Sequence, residues 1–301
     1  MNEEMLEKFR RAGKISAEAR DYGMKIIEEG VKYIEVVEAV EELIRRRGAE
    51  LAFPVNVAVN SIAAHYTPAP GEKKRFQHGD LVKLDVGAHI DGCIGDTAAT
   101  VEVGTSSWSG LVEASRQALY RAISFIKAGV SLGELGGVVE RVIRSSGFQP
   151  IVNLTGHSID VYKLHGGYSI PNYNNHNPLR VKEGLILAIE PFATNGGGTV
   201  ASGGNSNIYR YLKTKIGLKP ELQQMARSVE RLRRGLPFSS RWFVKEIKGS
   251  VRDLRRMVSR GVLYSYPILV EEKGGMVSQW EHTIYVKENG VEVLTERTGA
   301  D

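Results

Sequence analysis

Cysteine is nearly missing from this 301-residue chain: only Cys93 is present. That excludes an intramolecular disulfide and fits a reducing cytosol. Set between Gly92 and Ile94 with no base beside it, the thiol reads as a strand or turn residue. No apolar run approaches the roughly 18 residues of a membrane span. Residues 1–20 carry charge throughout, without the apolar stretch of a secretory signal. A cytoplasmic chain is therefore expected, and neither a membrane nor DNA is expected as partner. The marks of disorder are missing too, since 25% charged and 42% hydrophobic residues are ordinary for a folded protein. The length suits one large α/β domain or two smaller ones.

Negative charge is in short supply in one region. From Asn205 to Arg260 stand 15 Lys+Arg against 4 Asp+Glu, leaving 25 basic and 31 acidic residues elsewhere. A basic lobe on a mildly acidic body points either to a polyanionic neighbour or to a solvated helical face.

What the chain does have is one arrangement of acids, twice. Gly79-Asp80-Leu81-Val82-Lys83-Leu84-Asp85 runs apolar and ends in a carboxylate six residues after its glycine. Gly184-Leu185-Ile186-Leu187-Ala188-Ile189-Glu190 does the same. Each is followed by an acid that opens a strand-like run, Asp96 before Thr97–Val101 and Glu281 before His282–Val286. Acids inside apolar β-type runs are costly to bury. Four converging acids would need positive charge among them, and a pair of divalent ions suits four carboxylates.

Around these acids the periodicity predicts a helix through Met5, Phe9, Ala12, Ile15 and Ala19, stopped by Gly30, and another over Ile34 to Arg47. A helix over Trp108 to Ile126 follows a Ser106-Ser107 cap, and Ser131 with Glu134 forms a capping box for the next. Helices are expected over 220–236 and 244–260, and strands over 263–270, 279–286 and 291–294. The shared order of helices, acid-ended strand and acid-started strand implies a duplication with pseudo-twofold halves. The acids would then face each other on the concave side of one curved sheet, and 205–260 would be a helical insertion within a single domain, 1–301.

A fifth candidate ligand is His157, in Asn153-Leu154-Thr155-Gly156-His157-Ser158-Ile159. Alone, such a histidine is usually structural; beside four acids, ligation is the better reading. Carboxylates plus one imidazole and no thiolate suit Mn, Fe, Co or Zn without choosing among them. Two such ions would lower the pKa of a shared water enough for hydrolysis near neutral pH. His65, in Ala63-Ala64-His65-Tyr66-Thr67, and His165, followed by Gly166-Gly167, are candidates to carry protons or to contact a substrate carbonyl.

At these motifs the chain resembles the type II methionine aminopeptidases. The match runs over nearly the whole chain and adds Glu190-Pro191-Phe192, Glu281-His282-Thr283 and Pro237-Phe238-Ser239-Ser240-Arg241-Trp242. The last falls in 205–260, which looks like the helical insertion of that class in its short archaeal form. The resemblance implies the pita-bread fold, an α+β architecture of pseudo-twofold halves around a curved antiparallel sheet. It implies that Asp85 chelates one metal, His157 binds the other, Asp96 and Glu281 bridge, and Glu190 both binds metal and relays the proton of the attacking water. His65 and His165 would contact substrate and stabilise the tetrahedral intermediate. Phe53, Leu164, Phe192 and Tyr266 match positions lining the methionine pocket. A small second residue in the substrate is expected, as is a monomer, since nothing points to an obligate interface. The rival readings are an X-Pro aminopeptidase or prolidase of the same fold, and a metal-free pseudopeptidase binding RNA or ribosome. Docking of the basic insertion near the ribosomal exit is a further expectation.

Overall fold

The computed structural model describes residues 1–213, 215 and 217–296. Thr214 and Ile216, inside the predicted insertion, and the last five residues of the predicted 1–301 domain lie outside the described residues. Asn2 caps the first helix, Glu3–Ile26, by accepting a hydrogen bond from the Met5 amide at 2.9 Å. Glu3 and Glu4 occupy its first turn, where the helix dipole favours acids. Its buried face includes Leu6, Phe9, Ala12 and Ala19, so the predicted spacing marks one stripe. The helix ends at Ile26, and Gly30 takes φ +82° in the turn beyond. The second helix, Tyr33–Arg46, buries Val36, Val37, Val40 and Ile44 completely, worth about 1.5–3 kcal/mol per side chain.

Against these helices lies a long hairpin, Leu81–Ile90 paired antiparallel with Cys93–Glu102. Asp91 and Gly92 turn it with φ +51° and +85°, the positive-φ pair that a two-residue hairpin turn requires. Cys93 is the first residue of the second strand and is buried. In the second half, the helices Ser109–Phe125 and Leu132–Ser145 back a five-stranded sheet. Its central strands are Ile186–Ile189, flanked by Thr155–Ile159 and His282–Lys287. The halves meet where Glu281 and Ala98 form an isolated antiparallel bridge. Thr97 reinforces that seam, its hydroxyl donating to the Glu281 carbonyl at 2.7 Å.

Three local expectations change. The Ser106-Ser107 cap is replaced by Glu102, whose carboxylate accepts from the Ser107 and Trp108 amides at 2.7 and 2.8 Å. Residues 205–211 finish the Val200–Tyr211 strand, which pairs with Leu263–Glu271. The stretch expected to be helical over 244–260 is broken at Lys248, φ +59°, into a π-helical turn, Phe243–Ile247, and the helix Val251–Ser259. Ser250 and Asp253 form a capping box at that second start. The apolar faces of Pro220–Arg233 and Val251–Ser259 join the cluster that holds the second helix, through Leu222, Val229, Leu254 and Met257 beside Val36 and Val40.

Candidate active site

Asp85 and Asp96 sit on the two strands of the long hairpin. Its register pairs Asp85 with Ala98 and Gly87 with Asp96, so both carboxylates leave the same face. Gly87, between them on that face, leaves space for Phe53: a Cβ there would stand 2.2 Å from the Phe53 ring. The hairpin is pinned from behind by Ser16, whose hydroxyl donates to Gly95 O at 2.8 Å and accepts from Ala88 N at 2.9 Å. Glu190 follows the end of the Ile186–Ile189 strand, and Glu281 precedes His282–Lys287. Antiparallel pairing of Ile189 with His282 brings these two acids close. Thr283 ties one half to the other, since its hydroxyl accepts from Asp96 N at 2.8 Å and donates to Asp96 O at 2.7 Å.

His157 completes the cluster from the Thr155–Ile159 strand. Its Nε2 lies 3.6 Å from Asp96 Oδ2 and 3.6 Å from Glu190 Oε1. Ligand atoms of Asp96, His157 and Glu281 all lie within 4.8 Å of one another. Nδ1 of His157 faces the Ser158 carbonyl at 3.4 Å, which favours the Nδ1–H tautomer and leaves the Nε2 electron pair for ligation. Burial, then the neighbouring His165, lowers the His157 pKa to about 3, so its imidazole is neutral.

The carboxylates are poorly neutralised by the protein itself. Among the described residues, Asp85 Oδ1 and Asp96 Oδ1 are buried without a hydrogen-bond partner. The Gln279 amide donates to Glu281 Oε2 at 3.2 Å. Burial pushes Asp85 up to about 7. It also raises Asp96, with Asp85 adding, and Glu190, with Asp96 and Asp85 adding. Glu281 is raised by burial first, then by Asp96, Glu190 and Asp85, against the opposing Gln279 bond. Such a set is costly unless cations join it. Oxygen donors plus one imidazole nitrogen fit divalent first-row ions. The orphaned oxygens are the groups such ions would use.

One cavity is lined by all five of these residues and by every other predicted site residue: His65, His165, Phe53, Leu164, Phe192 and Tyr266. His65 adopts φ +60°, a left-handed conformation that is strained for a non-glycine residue. Its ring meets Tyr266 edge-on at 5.4 Å, and its buried Nδ1 has no hydrogen-bond partner among the described residues. Burial and then His165 lower it to about 4, opposed by the Pro267 backbone. His165 stands at the rim, its ring centroid 4.4 Å from that of His157. It is lowered by desolvation first and by Arg210 second.

The sequence reading missed Asn56, Gln279, Ile208 and Pro237, which also line the cavity. Asn56 is the cross-strand partner of Asp85. Gln279 lies two residues before Glu281, a strand-face spacing that was available as a signal. Ile208 and Pro237 come from within 205–260, so that segment walls the site as well as carrying charge.

The metallopeptidase family M24 profile matches residues 7–288. A methionine aminopeptidase of Pyrococcus abyssi is 44% identical over 97% of this chain and 99% of its own length. One from Methanocaldococcus jannaschii is 43% identical over 98% of this chain and 100% of its own. Among solved structures, a methionine aminopeptidase of Thermotoga maritima superposes with TM-score 0.73 and 26% identity, over 99% of this chain and 98% of that one. The fold is the curled antiparallel pita-bread architecture with helices behind it, and no helix among the described residues is long and apolar enough to cross a membrane. A buried acid cluster able to hold metal, the profile match and these relatives agree: the chain belongs to metallopeptidase family M24.

Proposed function

We propose that this protein is a methionine aminopeptidase, a dinuclear-metal hydrolase that removes the N-terminal methionine from peptides and nascent chains. The observation that carries the reading is the cavity in which four acids and His157 form the floor while Phe53, Leu164, Phe192 and Tyr266 form an apolar wall. Asp85, Asp96, His157, Glu190 and Glu281 would hold two divalent ions, Co, Mn, Fe or Zn. Bound there, such ions supply Lewis acidity toward the scissile carbonyl and make hydroxide accessible near neutral pH.

The chain's own groups do the rest. Glu190 takes the proton of the attacking water and returns it to the leaving amine. His65 and His165 aim N–H donors at the carbonyl oxygen as its charge grows. Their lowered pKa values keep them neutral at working pH, so each can donate without adding a second full charge. The apolar wall accepts a long thioether, and it closes on Pro237 and Ile208 from the basic segment. A small second residue is the expected preference.

The same-fold prolidase reading is weaker, because the relatives that match over nearly their full length carry the methionine aminopeptidase name. A pseudopeptidase would have lost ligands, and none of the five is replaced. The test is to strip the metals and restore Mn²⁺, Fe²⁺, Co²⁺ or Zn²⁺ singly, assaying Met-Ala-Ser against Ala-Pro-Ala. Cleavage of the first and not the second supports the reading; the reverse overturns it.

A cytosolic monomer docking at the ribosome through 205–260 is the accompanying proposal. Arg233 is half-buried, stacked on Trp242 at 4.7 Å and bonded to Glu246, and Arg234 stacks on Tyr162 at 4.9 Å. Charge reversal therefore belongs at the exposed Arg227, Arg231, Arg252 and Arg255. Unchanged ribosome co-sedimentation of that variant would refute docking.

A further inference from the structure

The strand Val200–Tyr211 and its partner Leu263–Glu271 carry one face from the cavity out past its rim. Ile208 and Tyr266 line the cavity. The register pairs Tyr209 with Ser265 and Arg210 with Tyr264. One two-residue step therefore leads along that face from Ile208 to Arg210, and from Tyr266 to Tyr264. We propose that Arg210 and Tyr264 form a subsite for the third residue of the substrate, and that this subsite selects an acidic side chain. The inference rests on the methionine aminopeptidase reading of the same cavity.

The reach of a peptide fits this placement. A two-residue step along a strand covers about 7 Å, and an extended substrate puts its third Cα about 7 Å beyond that of its N-terminal methionine. Only one end of the shared face opens to solvent. Toward the start of the strand lies Ser206, fully buried, its carbonyl accepting from Thr67 N at 3.3 Å. Toward its end, Arg210 is exposed and Tyr264 is 43% exposed. A chain leaving the cavity along this sheet must pass over that pair.

The chemistry there is an aromatic surface beside a cation. The Tyr264 ring meets Tyr266 edge-on at 4.9 Å, and Tyr266 in turn meets His65, so rings run from the cavity out to the rim. Arg233 and Arg241 are committed to Glu246 and Glu41, whereas among the described residues no salt bridge engages Arg210. Its guanidinium is left to offer a planar fork of donors, the shape that matches a carboxylate. The charge also reaches inward: after burial it is the next cause lowering His165, and it opposes the burial that raises Tyr266. Both strands are fixed in advance. Ser206 Oγ donates to Tyr266 O at 2.7 Å, and Asn207 Nδ2 donates to Thr67 O at 2.9 Å. A preformed surface costs little ordering when a peptide lies on it.

The test uses the Mn²⁺-loaded full chain with the peptides Met-Ala-Glu-Gly, Met-Ala-Gln-Gly and Met-Ala-Lys-Gly. All three are amidated at the C-terminus, which removes the terminal carboxylate as a competing anion. Wild type should prefer the glutamate peptide over the lysine peptide about 10-fold in kcat/KM at low ionic strength, with glutamine between. That ratio combines an exposed attraction and an exposed repulsion of about threefold each, and added NaCl should shrink it. Arg210→Met should bring the two peptides within about twofold, and Arg210→Glu should invert their order. Each ratio is taken within one protein, so a reduced folded fraction cancels. Should Arg210→Glu not fold, Arg210→Lys and Arg210→Met decide: preference kept in the first and lost in the second supports the subsite, and one ratio in both refutes it. Tyr264→Ala should raise KM for all three peptides, and an unchanged KM overturns its part. A wild type that cleaves all three within about twofold of one another, or a preference undiminished in Arg210→Met, overturns the subsite while methionine removal stands. A wild type that cleaves none of them overturns the methionine reading and the subsite with it.

Discussion

Two regions of this molecule bury carboxylates, and they treat them in opposite ways. Behind the basic segment, Glu41 is 2% exposed and fully served. Arg241 reaches it with two nitrogens at 2.8 and 3.2 Å, and the Trp242 indole N–H donates at 2.9 Å. Glu271, equally buried, collects backbone amides from Gly197, Gly198, Lys273 and Gly275. Burial alone would raise its pKa, but those amides prevail and lower it. In the central cavity, by contrast, Asp85 and Asp96 keep orphaned oxygens and all four acids are pushed upward. Where the fold needs a buried acid for architecture, it supplies donors from the chain. The cavity leaves that place open for cations from outside.

The contrast can be broken at either end. Replacing Glu281 by Gln should cut methionine-peptide hydrolysis about 10³-fold, the scale of losing a group that acts on the transition state, while the metal-free variant melts higher than metal-free wild type at pH 8. A kinetic assay with paired melting curves checks both signs. Replacing Glu41 by Gln should do the reverse. It strands Arg241 and costs about 3 kcal/mol of stability, read by denaturant titration, with kcat of the folded fraction near wild type.

A pH series sharpens the same difference. In the metal-free protein the cavity acids hold protons that the unfolded chain has already released, so stability falls as pH rises. His65 and His157, lowered to about 4 and 3, act in the opposite sense, but their contribution is complete above the ordinary imidazole value of 6.5. Between about pH 6.5 and 8 the acids govern. Metal-free Tm should therefore drop across that window, and added Mn²⁺ should flatten the slope. A metal-free Tm that climbs there contradicts the assignment. The smallest effect belongs to Thr283→Ala, which unties Asp96 from the second half: metal affinity should fall about 10-fold, measured by competition with a chelating dye.

The repeated glycine-to-acid spacing located the acid-bearing strands of the two halves because strand periodicity and buried charge are both local signals. Ser131 and Glu134 were legible for the same reason, being three residues apart in one capping box. Other features depended on geometry that spacing does not carry. The two copies of the pattern differ in three dimensions: Asp85 and Asp96 lie within ten-residue strands, while Glu190 and Glu281 stand just outside strand ends. Glu102 caps a helix from the end of the preceding strand, displacing the serines that composition favoured. Lys83 sits in a run that reads as an apolar strand, yet its fully buried Nζ donates to Asn60 O and Leu81 O, contacts that spacing does not carry. The break at Lys248 was hidden because apolar residues continue at helical spacing across it.

Calorimetric titration of the metal-free chain with Mn²⁺ tests the central claim most directly. Two ions per chain, bound with proton release and lost in the Glu281→Gln variant, are the predicted result. Wild type that takes up no Mn²⁺, or that hydrolyses methionine peptides at full rate in excess chelator, would contradict it.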